Sequence, residues 1–197
     1  TLEITIKLLK ELFVYDLNNF LPIKRKNKNL GWVHKSKIDL IKKGHKENFL
    51  DITEIKKKIN EAEETLKKEE LEFCPVFNCD TLHPKKKFHH NKKFGIGKIF
   101  EVERSLLSFF GFPAYGVHCN AWSKKNNSTF IHIAKRSKKI KKFPGLLDNL
   151  VAGGQPSNIS IIGNLKKEGF EEAGLIKSHF KNLKKGSTIN YCHNEKK

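Results

Sequence analysis

The chain has 197 residues, of which 38% are hydrophobic and 30% charged, and it carries a formal net charge of +18. This hydrophobic fraction excludes an intrinsically disordered chain and allows a buried core. The sequence contains no run of the roughly 18 apolar residues that a membrane span requires, and its N-terminus lacks an uninterrupted apolar signal segment. We therefore expect a soluble cytoplasmic protein.

The positive charge is carried almost entirely by lysine, because Arg25, Arg104 and Arg136 are the three arginines of the sequence. Lysine neutralises phosphates but lacks the planar fork that suits bidentate contacts with phosphate or guanine. The composition therefore does not favour nucleic acid as a partner, and a lysine-rich bias of the whole proteome also accounts for it. A lysine-driven RNA-binding protein stays open as an alternative, and it predicts strongly salt-dependent binding without a metal.

Four cysteines raise the possibility of a disulfide or a zinc site, since several histidines stand close to them in the sequence. Cys74 and Cys79 are separated by four residues instead of the commoner two, and no second cysteine pair follows at the distance found in zinc fingers. We therefore expect reduced structural thiols, as is usual in the cytosol. The residues concerned are Cys74, Cys79, Cys119, Cys192, His83, His89, His90 and His118.

The spacing of apolar residues predicts mainly helices in the first half of the chain. In chain order, the expected elements are a helix at 1–14, a loop at 24–29, a strand at 30–34, a helix that starts at the Ser36 N-cap and stops at Gly44, and a long helix at 51–71 capped by Asp51 or Thr53. A basic, glycine-containing loop at 80–98 marks the expected boundary between two modules.

Strands are expected to dominate the second half, because apolar and polar residues alternate there. The expected elements are a helix at 99–112 ended by Gly111, a hairpin of strands at 114–122 and 129–137, a short strand broken by Gly153 and Gly154, and a helix from residue 159 to residue 175. The order of the last elements is therefore strand, glycine loop and helix.

Three glutamates of the last helix are candidates for metal binding. Glu168, Glu171 and Glu172 are three and four residues apart, so they lie near one face of a helix. Clustered carboxylates are common sites for Mg²⁺, which takes oxygen ligands and shares them with substrate phosphates. The alternative is an ordinary solvated acidic helix end.

These glutamates lie in a segment that resembles the Nudix box. That signature is a glycine, five residues, a glutamate, seven residues and then Arg-Glu-apolar-x-Glu-Glu-x-Gly-apolar. Gly153 matches the first position, and residues 167–175 (KEGFEEAGL) match the second half at the correct distance. Three positions depart from the signature: Ile159 replaces the loop glutamate, Lys167 replaces the arginine, and Gly169 stands where a larger apolar residue is usual.

The surrounding sequence resembles one Nudix subfamily, the thiamin pyrophosphokinase-related proteins, which carry an extra N-terminal domain of the unknown-function family 4743 type. The resemblance rests on FEVERSLLSFFGFPAYGVHCNAW, IAKRS and PGLLDNLVAGGQPSNIS, with a looser match in FLPIKRKNKNLGWVH. An isoleucine such as Ile159 is common at the loop position of this subfamily. The resemblance implies a family-4743-like domain at 1–98 and a Nudix domain at 99–197.

The fold class implied by the resemblance is α+β, with a small N-terminal α/β module followed by a partial Nudix α/β/α sandwich with a mixed sheet. A Nudix domain has further strands and a second long helix after the box, whereas only a short polar stretch follows Leu175 here. We therefore expect the Nudix domain to be incomplete at its C-terminus.

The implied activity is metal-dependent hydrolysis of a diphosphate linkage. The implied small-molecule substrates are thiamine diphosphate and its oxidised derivatives. The resemblance makes Glu168, Glu171 and Glu172 ligands of Mg²⁺ or Mn²⁺, and Glu171, Glu172 and Lys167 catalytic residues. The expected substrate-side residues are Gly153, Gly154, His118, Asn120, Lys135, Arg136 and Asp148. The alternatives are structural roles for these side chains and a non-catalytic Nudix remnant that acts as a binding module. The sequence predicts no oligomeric state.

Overall fold

The computed structural model describes residues 17–66, 71–78, 92–140 and 143–189, which form two compact units. The division into family domains at 1–98 and 99–197 stays a prediction. Outside the described residues lie the helix expected at 1–14, most of the loop expected at 80–98, and Cys79, Cys192, His83, His89 and His90. The first unit contains the described residues 17–66, 71–78, 97–113 and 186–189, and the second contains 92–96, 114–140 and 143–185.

The first unit is built on a mixed three-stranded sheet. Strand β1 (Phe20–Arg25) pairs antiparallel with β2 (Lys28–His34), and β3 (Leu50–Asp51) adds to the other edge of β1 in parallel. The loop expected at 24–29 is wrong, because the two strands extend through this run and leave a turn of two residues. Its polar side chains are compatible with strands because they lie at the exposed end of the hairpin.

The strand expected at 30–34 is confirmed within β2. The two helices that follow are present but shorter than predicted, because the first ends at Ile41 instead of at Gly44 and the second ends at Thr65. After a 3₁₀ turn, α1 covers Ile38–Ile41, and α2 covers Ile52–Thr65. Asp51 caps α2 by accepting a hydrogen bond of 2.8 Å from the backbone N–H of Thr53. Ser36 as an N-cap is wrong, because the His34 ring accepts from the Ser36 N–H and the 3₁₀ turn takes up the first residues.

The segment expected as a helix at 99–112 instead begins as a strand. Strand β5 (Phe100–Glu103) pairs antiparallel with β4 (Phe73–Val76), and the short helix α3 covers only Leu107–Phe110. The apolar stripe misled the prediction because Val102, which is fully buried in the strand, also fits the apolar face of a helix. Burial alone does not distinguish a short strand from the first turn of a helix.

Gly111 ends α3 as predicted, and it also lies against the sheet. Its φ angle is +63°, and its carbonyl accepts a hydrogen bond of 3.0 Å from the Trp32 N–H of β2. A Cβ atom at this position would lie 1.6 Å from the Trp32 carbonyl oxygen. Glycine is therefore required both by the left-handed backbone and by the close approach of the two main chains.

The described part of the second unit contains three antiparallel strand pairs and one long helix. The elements are β6 (Gly116–Cys119), β7 (Ala121–Lys125), β8 (Ser128–His132), β9 (Ala134–Lys135), β10 (Leu147–Asp148), β11 (Val151–Gly154) and α4 (Ile161–Ala173). Strand β6 pairs with β11, β7 with β8, and β9 with β10. Val117, Val151 and Leu165 form the buried apolar core of the unit.

The predicted hairpin is confirmed, with each of its expected strands divided in two. Asn126 and Asn127 connect β7 and β8 with positive φ angles of 49° and 62°, as a two-residue hairpin turn requires. The predicted break at Gly153 and Gly154 is wrong, because both glycines are paired residues of β11. The chain is α+β, as the sequence predicted.

Two further features of the described residues concern thiol chemistry and membrane spans. Cys74 is buried and forms no disulfide there, and burial raises the pKa of its thiol to about 11, so the group stays protonated and unreactive. None of the helices in the part of the chain that the structure describes is long and apolar enough to cross a bilayer.

We predict that Gly111→Ala destabilises the first unit far more than Gly44→Ala does. Gly44 also has a positive φ angle, +72°, but a Cβ atom there would meet nothing within 4 Å. Gly44→Ala should therefore lower the free energy of unfolding by about 1–2 kcal/mol, the cost of the left-handed backbone alone. Gly111→Ala should lower it by a further roughly 1–3 kcal/mol, because the backbone must also move. Urea unfolding measures both, and equal losses would contradict the proposed packing.

Candidate active site

Helix α4 carries the candidate glutamates, and both of its ends are fixed by its own sequence. The Ser160 hydroxyl accepts a hydrogen bond of 2.9 Å from the Gly163 N–H, which caps the first turn. Gly174 ends the helix with a φ angle of +62°, and Leu175 donates back to the Gly169 carbonyl at 2.9 Å. Helix α4 therefore begins and ends where the box pattern requires.

Gly169, one of the departures from the box, makes room for an aromatic ring. A Cβ atom on Gly169 would lie 2.8 Å from Cζ of Phe180 and 3.4 Å from Cδ1 of Leu175. The ring of Phe180 thus occupies space that any side chain at residue 169 would need. The glycine at residue 169 and the aromatic ring at residue 180 therefore form a local exchange of volume.

A buried amide fixes the helix against strand β11. The side chain of Asn164 is fully buried, and its Nδ2 donates a hydrogen bond of 2.7 Å to the carbonyl oxygen of Gly154. Leu165, the next residue, packs on Val151 and Val117 in the core. Sequence reasoning missed Asn164, although a polar residue three positions after Ile161 on the apolar stripe is a signal that could have shown it.

The loop between β11 and α4 is held without a glutamate at residue 159. Gln155 is almost completely buried, and its Nε2 donates to the carbonyl oxygens of Pro156 at 3.1 Å and Ile159 at 3.2 Å. The Ile159 carbonyl also accepts from the Phe94 N–H at 2.9 Å. Backbone and amide contacts therefore set the loop, and the isoleucine at the departing position does not disturb it.

Two of the three glutamates reach β11. The carboxylate of Glu172 accepts a hydrogen bond of 3.0 Å from the Ala152 N–H. Glu168, whose side chain is only 13% exposed, lies against Gly153, where a Cβ atom would come within 2.4 Å of its carboxyl carbon. The absence of a side chain at Gly153 therefore leaves the space that the Glu168 carboxylate occupies.

The third glutamate, Glu171, is more exposed and pairs with Lys167. The Lys167 ammonium donates to Glu171 at 3.0 Å and lies 3.4 Å from a carboxylate oxygen of Glu168. The hydrogen bond to Glu171 raises the pKa of Lys167, so this side chain stays protonated at neutral pH. Lys167 thus connects the two carboxylates, as a basic residue at the arginine position of the box would.

The donor set is compatible with Mg²⁺ but does not enclose it. Among residues 17–66, 71–78, 92–140 and 143–189, no group of three or more His, Cys, Asp or Glu side chains is close enough to hold a metal ion. Mg²⁺ commonly takes only one or two protein carboxylates and completes its octahedron with water and substrate phosphate. Glu168 and Glu172, which contact consecutive residues of β11, could supply such a pair.

Two of the predicted substrate-side residues, His118 and Asn120, are gathered around Asn149, which the sequence analysis missed. Asn149 Nδ2 donates to Asn120 Oδ1 at 2.6 Å, and Asn149 Oδ1 lies 3.1 Å from Nδ1 of His118. Because a carbonyl oxygen only accepts, Nδ1 of His118 carries the hydrogen and Nε2 is left as the acceptor of the neutral ring. The Asp-Asn pair at 148 and 149 was the available signal.

Asp148 and Arg136, two further predicted residues, pair with each other. The Arg136 guanidinium donates to Asp148 at 2.5 Å, and the Asn149 N–H donates to the other carboxylate oxygen at 2.8 Å. Partial burial pushes the pKa of Asp148 upward, but these hydrogen bonds outweigh it and hold the pKa below its usual value. Lys135, on the adjacent strand β9, is exposed to solvent.

We predict that the Asp148 contact stabilises the protein at neutral pH and stops doing so in acid. Because the folded-state pKa is lowered, the contribution is fully present above the ordinary carboxyl pKa of about 3.9 and is lost as the pH falls through the folded value. Asp148→Asn should therefore lower the free energy of unfolding at neutral pH, and the difference from the wild type should shrink toward about pH 3. Urea unfolding across this range measures it, and a constant difference would contradict the assignment.

No family model matches the chain. The chain is, however, 42% identical over 85 residues to Nudix hydrolase 20, chloroplastic, of Arabidopsis thaliana, a match that covers 43% of this chain and 23% of that protein. It is 42% identical over 84 residues to Nudix hydrolase 24, chloroplastic, of the same plant, with the same coverage. An uncharacterized protein of Saccharomyces cerevisiae is 33% identical over 95 residues, which are 47% of this chain and 28% of that protein.

The chain thus covers about a quarter of the length of these curated relatives. Similarity to two named Nudix hydrolases supports the Nudix superfamily for this chain. The helices and small sheets of the α+β structure are consistent with a partial Nudix fold.

Proposed function

We propose that this chain carries the glutamate helix of a Nudix-type hydrolase that cleaves a diphosphate linkage with the help of Mg²⁺ or Mn²⁺. The observation that carries the proposal is the position of α4 on β11, with Glu168 in the space left by Gly153 and Glu172 on the Ala152 N–H. The similarity to named Nudix hydrolases supports it independently. The proposal includes a family-4743-like domain at 1–98 and a Nudix domain at 99–197.

The glutamates have separate parts in this proposal. Glu168 and Glu172 would hold the metal ion, and Glu171 would become a ligand only when its side chain moves, because the three do not gather closely enough as they stand. The ion would supply positive charge to phosphoryl oxygens and lower the pKa of water. The Ala152 N–H keeps the Glu172 side chain turned toward the strand, and Lys167 restrains Glu168 and Glu171. An ammonium restrains them less rigidly than a guanidinium, because it has no planar fork. Glu171 and Glu172 would also act in catalysis, together with Lys167.

The substrate side is proposed to lie toward β6 and β10. His118, Asn120, Arg136 and Asp148 would contact the substrate, and the backbone of Gly153 and Gly154 would allow its phosphates to approach closely. In the reaction, the oxygen of water bonds to the terminal phosphorus and the bridging P–O bond breaks. One hydrogen of the water stays on the released phosphate, and the other passes as a proton to the bridging oxygen that leaves with the organic phosphate. We propose thiamine diphosphate or its oxidised derivatives as substrates and the cytoplasm as the location.

A second candidate is a Nudix-type module that binds a diphosphate compound without cleaving it. The observation in its favour is that no three acidic, histidine or cysteine side chains within the described residues gather closely enough to hold a metal ion. This candidate predicts binding of the compound that persists when Mg²⁺ is removed and no release of phosphate when it is added.

We predict that Glu168→Gln and Glu172→Gln each reduce metal-dependent phosphate release from thiamine diphosphate by at least about 100-fold, since even outer-shell partners of metal sites are worth about 10- to 100-fold. Each change replaces a carboxylate with an amide of the same shape, so the fold should persist. Glu61→Gln is the matched control, because Glu61 forms an exposed ion pair with Lys58 on α2, in the first unit. Turnover that survives both glutamate substitutions would exclude the proposed role of α4.

We predict that Gly153→Ala lowers the same activity without unfolding the protein. The added Cβ atom would meet the flexible end of Glu168 and not the backbone, so the carboxylate moves while the strand stays in place. We expect a loss of about 10- to 100-fold in kcat, as for a displaced supporting group. Gly186→Ala is the control, because a Cβ atom there meets nothing within 4 Å. A change in melting temperature without a change in kcat would refute the placement of Glu168.

A further inference from the structure

A wide groove lies on the second unit beside the β7–β8 hairpin and β10. Its volume is about 870 Å³, which falls in the size range of small-molecule pockets, whereas a lysine-lined depression on the same unit has a volume of about 400 Å³. Apolar side chains provide most of its lining, and polar groups stand along one side. The apolar lining includes Trp122, Ile131, Ile133 and Leu147, and the polar side includes Asn120, Asp148 and Asn149.

The apolar wall is exposed to an extent that folding alone does not explain. Trp122 lies directly opposite Ile131 across the hairpin, and the two side chains are 59% and 67% exposed. Directly opposite residues of an antiparallel pair lie side by side on one face, so the indole ring of Trp122 and the side chain of Ile131 form a continuous surface. A flat apolar surface of this kind suits a planar ring, which can stack on the indole.

The charge beside the wall favours an anionic ligand. The Lys124 ammonium lies 6.0 Å from the centre of the Trp122 ring, and Lys124 also lines the groove. The Asp148 carboxylate, the acidic group of the lining, is already neutralised by Arg136. A ligand that combines a planar ring with phosphate groups therefore meets complementary chemistry.

The polar side of the groove ends in a defined hydrogen-bond donor. Asn120 Oδ1 accepts from Asn149, so the amide nitrogen of Asn120 is directed to donate elsewhere. This donor fits an acceptor on the edge of a ring that lies on Trp122. His118 begins the same chain of hydrogen bonds and fixes the orientation of both amides.

Strand pairing places the groove residues and the glutamate helix in one unit. His118, which contacts Asn149, pairs with Ala152 across β6 and β11, and the Ala152 N–H is the donor to Glu172. Ring and phosphates would be recognised by different elements of one unit.

We propose that this groove binds the planar ring of the diphosphate substrate, with Trp122 as the stacking residue and Asn120 as the donor that selects a ring acceptor. The inference rests on the proposed function, because it assigns the organic part of the same substrate. It makes Trp122 a specificity residue for ring-bearing diphosphates.

Intrinsic fluorescence tests the proposal without requiring turnover. The chain has two tryptophans, so Trp32→Phe leaves Trp122 as the single reporter. We expect thiamine diphosphate or adenosine diphosphate to change this fluorescence saturably, and inorganic diphosphate, which has no ring, to leave it unchanged. Saturable change with inorganic diphosphate alone, or with none of the three, would overturn the proposal.

Substitutions separate stacking from a structural role. Trp122→Ala should weaken binding of the ring compound about 10-fold, whereas Trp122→Phe should retain most of it, because an aromatic contact is worth about that factor. Isothermal calorimetry measures both, since the alanine variant has lost its reporter. Phe130→Ala is the control, because Phe130 is exposed on the neighbouring position of β8, which faces away from the groove. Equal affinity of Trp122→Ala and the wild type would refute the proposal.

Two outcomes distinguish this inference from the proposed function. Ring-dependent binding without phosphate release would remove the hydrolase proposal and keep Trp122 as the ring-binding residue of a module. Phosphate release that Trp122→Ala leaves unchanged in KM would remove the inference and keep the hydrolase. Light scattering measures the mass of the protein in solution. A dimer that Trp122→Ala converts to a monomer would assign the apolar wall to a second copy of the chain and would overturn the inference.

Discussion

The contact of Glu168 with Gly153 is the constraint on which the candidate site depends. A carboxylate that is largely removed from solvent needs room and compensation, and the missing side chain at Gly153 gives it room. The neighbouring Lys167 ammonium gives it compensation. With Glu168 placed in this way, Glu172 one turn later falls beside the Ala152 N–H. Two positions of a strand thus determine where the helix presents its acidic face.

The same strand joins the acidic helix to the polar groups on β6 and β10. Its inner face carries Val151 and Gly153 toward the helix, and its partner β6 carries His118 on the other face. Because Asn164 fixes the helix on one side, a movement of β11 would shift both sets of groups together. The proposed hydrolysis and the proposed recognition therefore share one strand and need no separate alignment.

Sequence reasoning was successful where local chemistry decides the structure. Asp51 as a cap, the polar turn at Asn126 and Asn127 and Gly111 as a helix end each follow from the side chain or backbone freedom of the residue itself. It was wrong for Phe100–Glu103, because four residues with a buried valine fit a helix or a strand until the partner β4 is known. The strand β1 was missed for the same reason, since it is short and ends in Lys24 and Arg25, and its pairing with β2 decides the structure.

The candidate site divides in the same way between what the sequence indicates and what it does not. The spacing of Glu168, Glu171 and Glu172 is visible in the sequence, because a helix turns short spacing into proximity. Trp122 and Asn149 were missed. The neighbouring Asp148 marks Asn149 as a candidate, but no neighbour in the sequence shows which groove Trp122 lines or which amide Asn149 contacts. Their roles depend on pairing between strands that are distant in the chain.

The exchange of volume between Gly169 and Phe180 limits how this sequence can evolve. A mutation that restores a large apolar residue at 169 would collide with the ring at 180, although it brings the box closer to its usual form. A mutation that shrinks 180 first would leave an empty space beneath the helix. Each step is therefore harmful unless the other has already occurred, and the two positions are expected to show strong epistasis. Lineages that carry this glycine should keep an aromatic residue after the helix and drift away from the consensus as a pair.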